Sequence, residues 1–179
     1  MFTDLSDPVE ANTALHALAA AGVRVEDVDK LLTRMDVAPS KSEFDRSQWL
    51  MQLGNTIATA GRAVVPRLIE ALKSGDSDVR TTAICACRRL GPIAADAALP
   101  LADLYSRRDR PEKDYQEPGY ILYALQQMGS SALPAVDKLI AVFDSASFVA
   151  AMIPRYTAAW DPVPILNVNP SQTLAEFVE

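Results

Sequence analysis

Apolar residues recur at three- and four-residue intervals along most of this chain, and sustained alternation is scarce, so the pattern predicts helices. Ser6 or Asp7 can cap a first helix with Pro8 and Glu10 in its first turn, running to Gly22 with Leu15, Leu18 and Val9 on one face. A second helix is expected from Glu26 to Met35, where Val28, Leu31, Leu32 and Met35 share a face. Val37 to Ser42 reads as a linker. A third helix starts near Glu43 and carries Phe44, Trp49, Leu50, Leu53 and Ile57 before Gly61.

Beyond residue 60 the chain repeats itself. AGRAVVPRLIEAL (60–72), LGPIAADAALPLADLY (90–105) and MGSSALPAVDKLIAVF (128–143) each join an apolar residue and a glycine to an Ala-rich approach, a proline and a short amphipathic helix. Pro66, Pro100 and Pro134 are spaced by 34 residues each time. A period of that length is the mark of stacked helical pairs.

The stretch KSGDSDVRTTAICACRRLG, residues 73–91, carries a more specific pattern. With Pro66 in the preceding helix, Asp76 and Asp78 in the turn, Val79 and Arg80 opening the next helix, and Ala83, Ala86 and Leu90 inside it, this region resembles a HEAT repeat of the short bacterial type. The likeness is strong over 61–91, fair over 92–143 and weak elsewhere. In the following repeat SRRDRPEKDYQEPG (106–119) replaces the Asp-x-Asp-Val-Arg turn. The resemblance implies an all-α chain folded as a right-handed α-solenoid of helical hairpins. Residues 1–42 would form an N-terminal helical cap, 43–153 the repeats, and 154–179 a C-terminal capping segment. Within the last stretches, 145–153 is expected to form a short helix, and 171–179 either a closing helix or a segment docked on another chain. Asp76 and Asp78 suit the positive start of a helix, and Arg80 can bridge to an Asp of an adjacent turn.

Taking Gly61, Gly91 and Gly129 as rulers aligns the helices that precede them. Their core positions become Trp49, Leu53 and Ile57; Val79, Ala83, Ala86, Cys87 and Leu90; and Ile121, Ala124, Leu125 and Met128. The opposite stripe then holds Gln52, Asn55 and Thr59; Thr82, Cys85 and Arg89; and Tyr120, Tyr123 and Gln127. In HEAT-like solenoids the second helices of the hairpins line the concave side, so the resemblance makes this stripe the surface a partner meets. Tyr120 and Tyr123 either face that partner or pack under the neighbouring loop. That loop, SRRDRPEKDYQEP (106–118), holds Arg107, Arg108, Arg110 and Lys113 among four acidic residues. Its arginines are candidates for an acidic partner surface, and a solvated mixed-charge loop is the alternative.

Composition narrows the function classes. The chain has 179 residues, 49% of them hydrophobic, and 17 Lys+Arg against 23 Asp+Glu give a net charge of −6. Such acidity argues against nucleic acid, whose binding rests on Lys and Arg replacing counterions. It suits a basic protein partner. No apolar run is long enough to suggest a membrane span, and the start lacks a secretory pattern, so the cytoplasm is expected. His16, Cys85 and Cys87 are too few for a zinc site, and no phosphate-binding or dinucleotide glycine motif occurs, so neither a metal nor a cofactor is expected. The expectation is a non-catalytic protein-interaction module or scaffold. A narrower form is a bacterial immunity or inhibitor protein. Other readings are a HEAT-like lyase accessory, of the kind that handles bilin pigments, an alkylpurine DNA glycosylase relative, which needs a basic groove, and an assembly subunit.

Overall fold

The computed structural model describes residues 8–33, 43–107 and 116–144. The chain divides into two units, residues 1–139 and 140–179. Among the described residues every regular element is helical and no strand occurs, as the apolar spacing predicts. The expected linker at 37–42, the 145–153 helix and the C-terminal capping segment lie outside the described residues.

Helix α1, Pro8–Ala21, begins on a proline, whose missing amide proton costs nothing at a helix start, and stops at Gly22 with φ of 81°. Helix α2, Val25–Thr33, buries Val28 and Leu32. On its outer face Asp27 accepts bonds from Lys30 Nζ (2.9 Å) and Arg24 Nε (2.8 Å), which hold its carboxyl below the usual range. Helix α3, Glu43–Ile57, buries Trp49, Leu50, Leu53 and Ile57 and continues into a 3-10 segment, Ala58–Val64. Helix α4, Val65–Ala71, follows with Pro66 in its first turn.

Helix α5, Ser77–Leu90, is capped by Asp76, whose carboxylate accepts the Asp78 amide at 2.9 Å. A second 3-10 segment, Gly91–Ala97, leads to α6, Ala98–Ser106. Helix α7, Glu117–Met128, is followed by the 3-10 segment Gly129–Ala135 and α8, Val136–Asp144.

Three of these junctions share one backbone geometry. Gly61 (φ 66°, ψ −149°), Gly91 (57°, −129°) and Gly129 (57°, −133°) occupy a region closed to residues with a Cβ. The glycines, rather than the prolines, therefore mark equivalent positions. Pro66 and Pro134 lie five residues after their glycines, whereas Pro100 lies nine after Gly91, one helical turn later. The even proline spacing arises because the intervals between the glycines, 30 and 38 residues, are offset by that turn.

In the unit 1–139, α1 packs on α3, α3 on α5, and α5 on α7. The other elements form a second rank: α2 meets the first 3-10 segment, α4 the second, and α6 the third, while α4 and α6 pack across onto α5 and α7. The predicted core positions are buried, except that Val79 is half-buried. Ion pairs tie successive elements together: Arg46 to Asp78, Arg62 to Asp96 (3.8 Å), Arg67 to Asp29 (3.6 Å) and Lys138 to Asp103. The buried member of the set is Arg80–Glu117 at 2.6 Å, where Arg80 Nη1 also donates to the carbonyls of Ser74 (3.0 Å) and Gly75 (3.1 Å). Arg80 was expected to bridge to an Asp of an adjacent turn; its partner is instead a glutamate, Glu117, at the start of α7. No helix among the described residues is long and apolar enough to cross a membrane.

Candidate functional site

The C-terminal halves of α1, α3, α5 and α7 lie side by side and enclose a groove of about 780 Å³. Helix α1 contributes His16, Ala19 and Ala20, and α3 with the residues just after it contributes Gln52, Asn55, Thr56 and Thr59. Arg88 and Arg89 enter from α5, and Tyr123 and Gln127 from α7. His16, Thr59, Arg89, Tyr123 and Gln127 are exposed, so the groove opens to water.

Its α1–α3 wall is fixed by hydroxyl bonds. Thr56 Oγ1 donates to the Gln52 carbonyl at 3.0 Å and lies 3.5 Å from the Leu15 carbonyl of α1. Thr59 Oγ1 donates to the Thr56 carbonyl (2.7 Å) and accepts the Val23 amide (3.2 Å). These contacts join the end of α3 to the end of α1 and set how far apart His16 and Asn55 stand.

Charge is distributed unevenly along these four helices. Every acidic residue in α1, α3, α5 and α7 falls within the first three positions: Glu10, Glu43 and Asp45, Asp78, and Glu117. That placement complements the positive helix start. The groove lies over the acid-free lengths and, among the described residues, has no Asp or Glu in its lining. The expectation of a basic partner rested on the whole-chain charge of −6. The local sign is opposite.

Of the stripe predicted from sequence, Gln52, Asn55, Thr59, Arg89, Tyr123 and Gln127 come together in the groove. Thr82 and Cys85 do not: both were expected on the open face and are buried. The physical reason is a close helix crossing. A Cβ added at Gly54 of α3 would stand 2.7 Å from Cys85 Cβ, 2.7 Å from the Thr82 carbonyl oxygen and 2.9 Å from the Ala86 nitrogen, so that edge of α5 lies directly against α3. A helix flanked by α3 and α7 and backed by α4 keeps only a narrow open strip, and a two-faced template misassigns its edges. Tyr120 is half-buried outside the groove lining, with its hydroxyl 3.1 Å from Gln116 Oε1. Arg107 caps α6, in the other rank. Arg108 and Arg110 lie outside the described residues.

Sequence reasoning missed His16, Arg88 and the alanines of α1 as groove residues. The usable signals were Gly54, a glycine within an otherwise unbroken helical pattern, and the adjacent Arg88 and Arg89 at the end of a helix that carries no acid after Asp78.

The thiols are not available for chemistry here. Burial pushes Cys85 up to about 11 and Cys87 up to about 12, so both stay protonated near neutral pH. Among the described residues no three His, Cys, Asp or Glu side chains are grouped to hold a metal ion. Compared with known protein families, characterised proteins and solved structures, the chain finds no match.

Proposed function

We propose that this chain is a non-catalytic interaction module of HEAT-like hairpins, stacked as a right-handed α-solenoid, that seats a partner polypeptide in the groove across α1, α3, α5 and α7. The observation that carries this reading is the lining itself: amides, hydroxyls, two guanidinium groups and one exposed tyrosine, drawn from four separate helices. Small-molecule clefts of about 300–1,000 Å³ are mostly apolar and bury their ligand, whereas this one is polar and open. Such a surface matches the backbone and side chains of a polypeptide. Among the described lining residues His16 has no thiol or carboxylate with which to share a proton. Support for the hairpin array comes from the three glycine junctions of one geometry and from the successive packing of α1, α3, α5 and α7.

The test is a pull-down from host lysate with the wild-type chain, with Asn55→Ala/Tyr123→Ala/Gln127→Ala, and with Lys73→Ala on the other rank as control. The groove variant should lose the partners that wild type and control retain, at unchanged helical content. An identical partner set for all three would refute the reading.

A further inference from the structure

Among the described residues most cations are matched by a carboxylate of the chain. Arg46 pairs with Asp78, Arg62 with Asp96, Arg67 with Asp29, Arg80 with Glu117 and Lys73 with Glu70. Arg88 and Arg89 differ: among the described residues neither has a carboxylate within ion-pair distance, although the chain carries more acids than bases. Both enter the groove, and Arg88 is half-buried there. Part of their role is local, since cations at the end of α5 complement its negative pole. A half-buried guanidinium still has donors that water reaches poorly and that an anion would satisfy.

The groove around them is built to complement such an anion within a polypeptide. Asn55 and Gln52 stand on one side of the arginines and Gln127 on the other. Each amide offers one acceptor and a donor pair, the complement of a peptide group. Four neighbouring helices about 8–10 Å apart span roughly 25–30 Å between outer axes. An extended chain at about 3.3 Å per residue crosses that distance in roughly eight residues. Nucleic acid fits less well, because tight phosphate binding draws on many cations and this groove supplies two arginines.

Resting on the reading of the groove as a polypeptide site, we infer that its occupant is an extended acidic segment of a partner protein. One or two Asp or Glu carboxylates meet Arg88 and Arg89, and the segment's backbone lies on the amides of Gln52, Asn55 and Gln127. Both arginines donate in a planar fork that receives a carboxylate by two bonds.

Selection of random displayed dodecapeptides against the full chain tests this. The enriched peptides should be net acidic. Their synthetic forms should bind Arg88→Gln/Arg89→Gln at least about tenfold more weakly than wild type, and should weaken as salt rises, as exposed charge pairs do. Circular dichroism of the double variant should match wild type. Enriched peptides that are neutral or basic, and that depend on Asn55 and Tyr123 but not on the arginines, would overturn the acidic assignment and leave the groove reading standing. Peptides indifferent to both sets of substitutions, or no enrichment, would overturn both. A single-stranded dodecanucleotide that bound more tightly than the best acidic peptide would also overturn the assignment.

Discussion

Gly54→Ala should destabilise this protein, although the same change inside most helices does the opposite. Alanine is favoured over glycine by about 1 kcal/mol in a helix interior. Here the added methyl would stand 2.7 Å from the Thr82 carbonyl oxygen, 2.7 Å from Cys85 Cβ and 2.9 Å from the Ala86 nitrogen. Ordinary carbon contacts are about 3.5–4.0 Å, so α3 and α5 must separate by close to 1 Å. Two of the three obstructing atoms belong to backbone and cannot rotate aside. Forcing an extra methyl into a packed contact costs about 1–3 kcal/mol, and the rigid neighbours put this site at the upper end. The net expectation is a loss of about 1–2 kcal/mol, or roughly 2–8 °C in melting temperature for a chain of this size. Urea unfolding followed by circular dichroism measures it. Gly119→Ala in α7, where an added Cβ meets nothing within 4 Å, serves as control and should be neutral or mildly stabilising. A Gly54→Ala protein as stable as wild type, with an unchanged denaturant slope, would refute the close crossing and with it the explanation for the burial of Thr82 and Cys85. Since Gln52 and Asn55 flank Gly54, the variant should also bind groove peptides less tightly.

The Arg80–Glu117 pair supplies a second expectation. Glu117→Ala removes the carboxylate bonded to a buried guanidinium and should cost about 3–5 kcal/mol, whereas Arg80→Met/Glu117→Leu should recover most of that loss in the same unfolding assay. The thiols supply a third. With folded values pushed up to about 11 and 12, Cys85 and Cys87 remain neutral in the fold while the unfolded chain ionises from about pH 9. Their contribution is therefore complete below about pH 9 and is lost as pH rises towards 11–12, by about 1.4 kcal/mol per thiol over the first unit. Urea midpoints between pH 8 and 10 should fall more steeply for wild type than for Cys85→Ala/Cys87→Ala, and iodoacetamide at pH 8 should label both thiols only in denaturant.

Much of the helical framework was legible because it is written locally. Pro8, Asp76 and the glycines at 22, 61, 91 and 129 mark helix ends by backbone geometry and capping, and the 3.6-residue apolar spacing set the buried faces of α3 and α7. The glycine rulers gave the register that buries the core positions; the even proline spacing does not, since Pro100 lies one turn further from its glycine than Pro66 does. The stripe was half legible. Asn55, Arg89, Tyr123 and Gln127 follow from periodicity, but Thr82 and Cys85 depend on how near a neighbouring helix comes. That distance is set by an absent side chain, at Gly54, which no periodic template weighs. Arg88 and His16 were hidden for a related reason. Whether a cation is already matched by a carboxylate depends on residues distant in the chain, as Arg80 and Glu117 illustrate, 37 positions apart.

The position of α5 between α3 and α7, with α4 behind it, implies a gradient of local opening across the molecule. Its amide protons should exchange with deuterium last, because releasing them requires both flanking helices to part, whereas α1 can fray alone. The two arginines would then stand on the slowest-breathing platform in the chain, and His16 on a fast one. A guest laid across the groove should slow exchange most at the α1 margin, leaving the centre almost as protected as before.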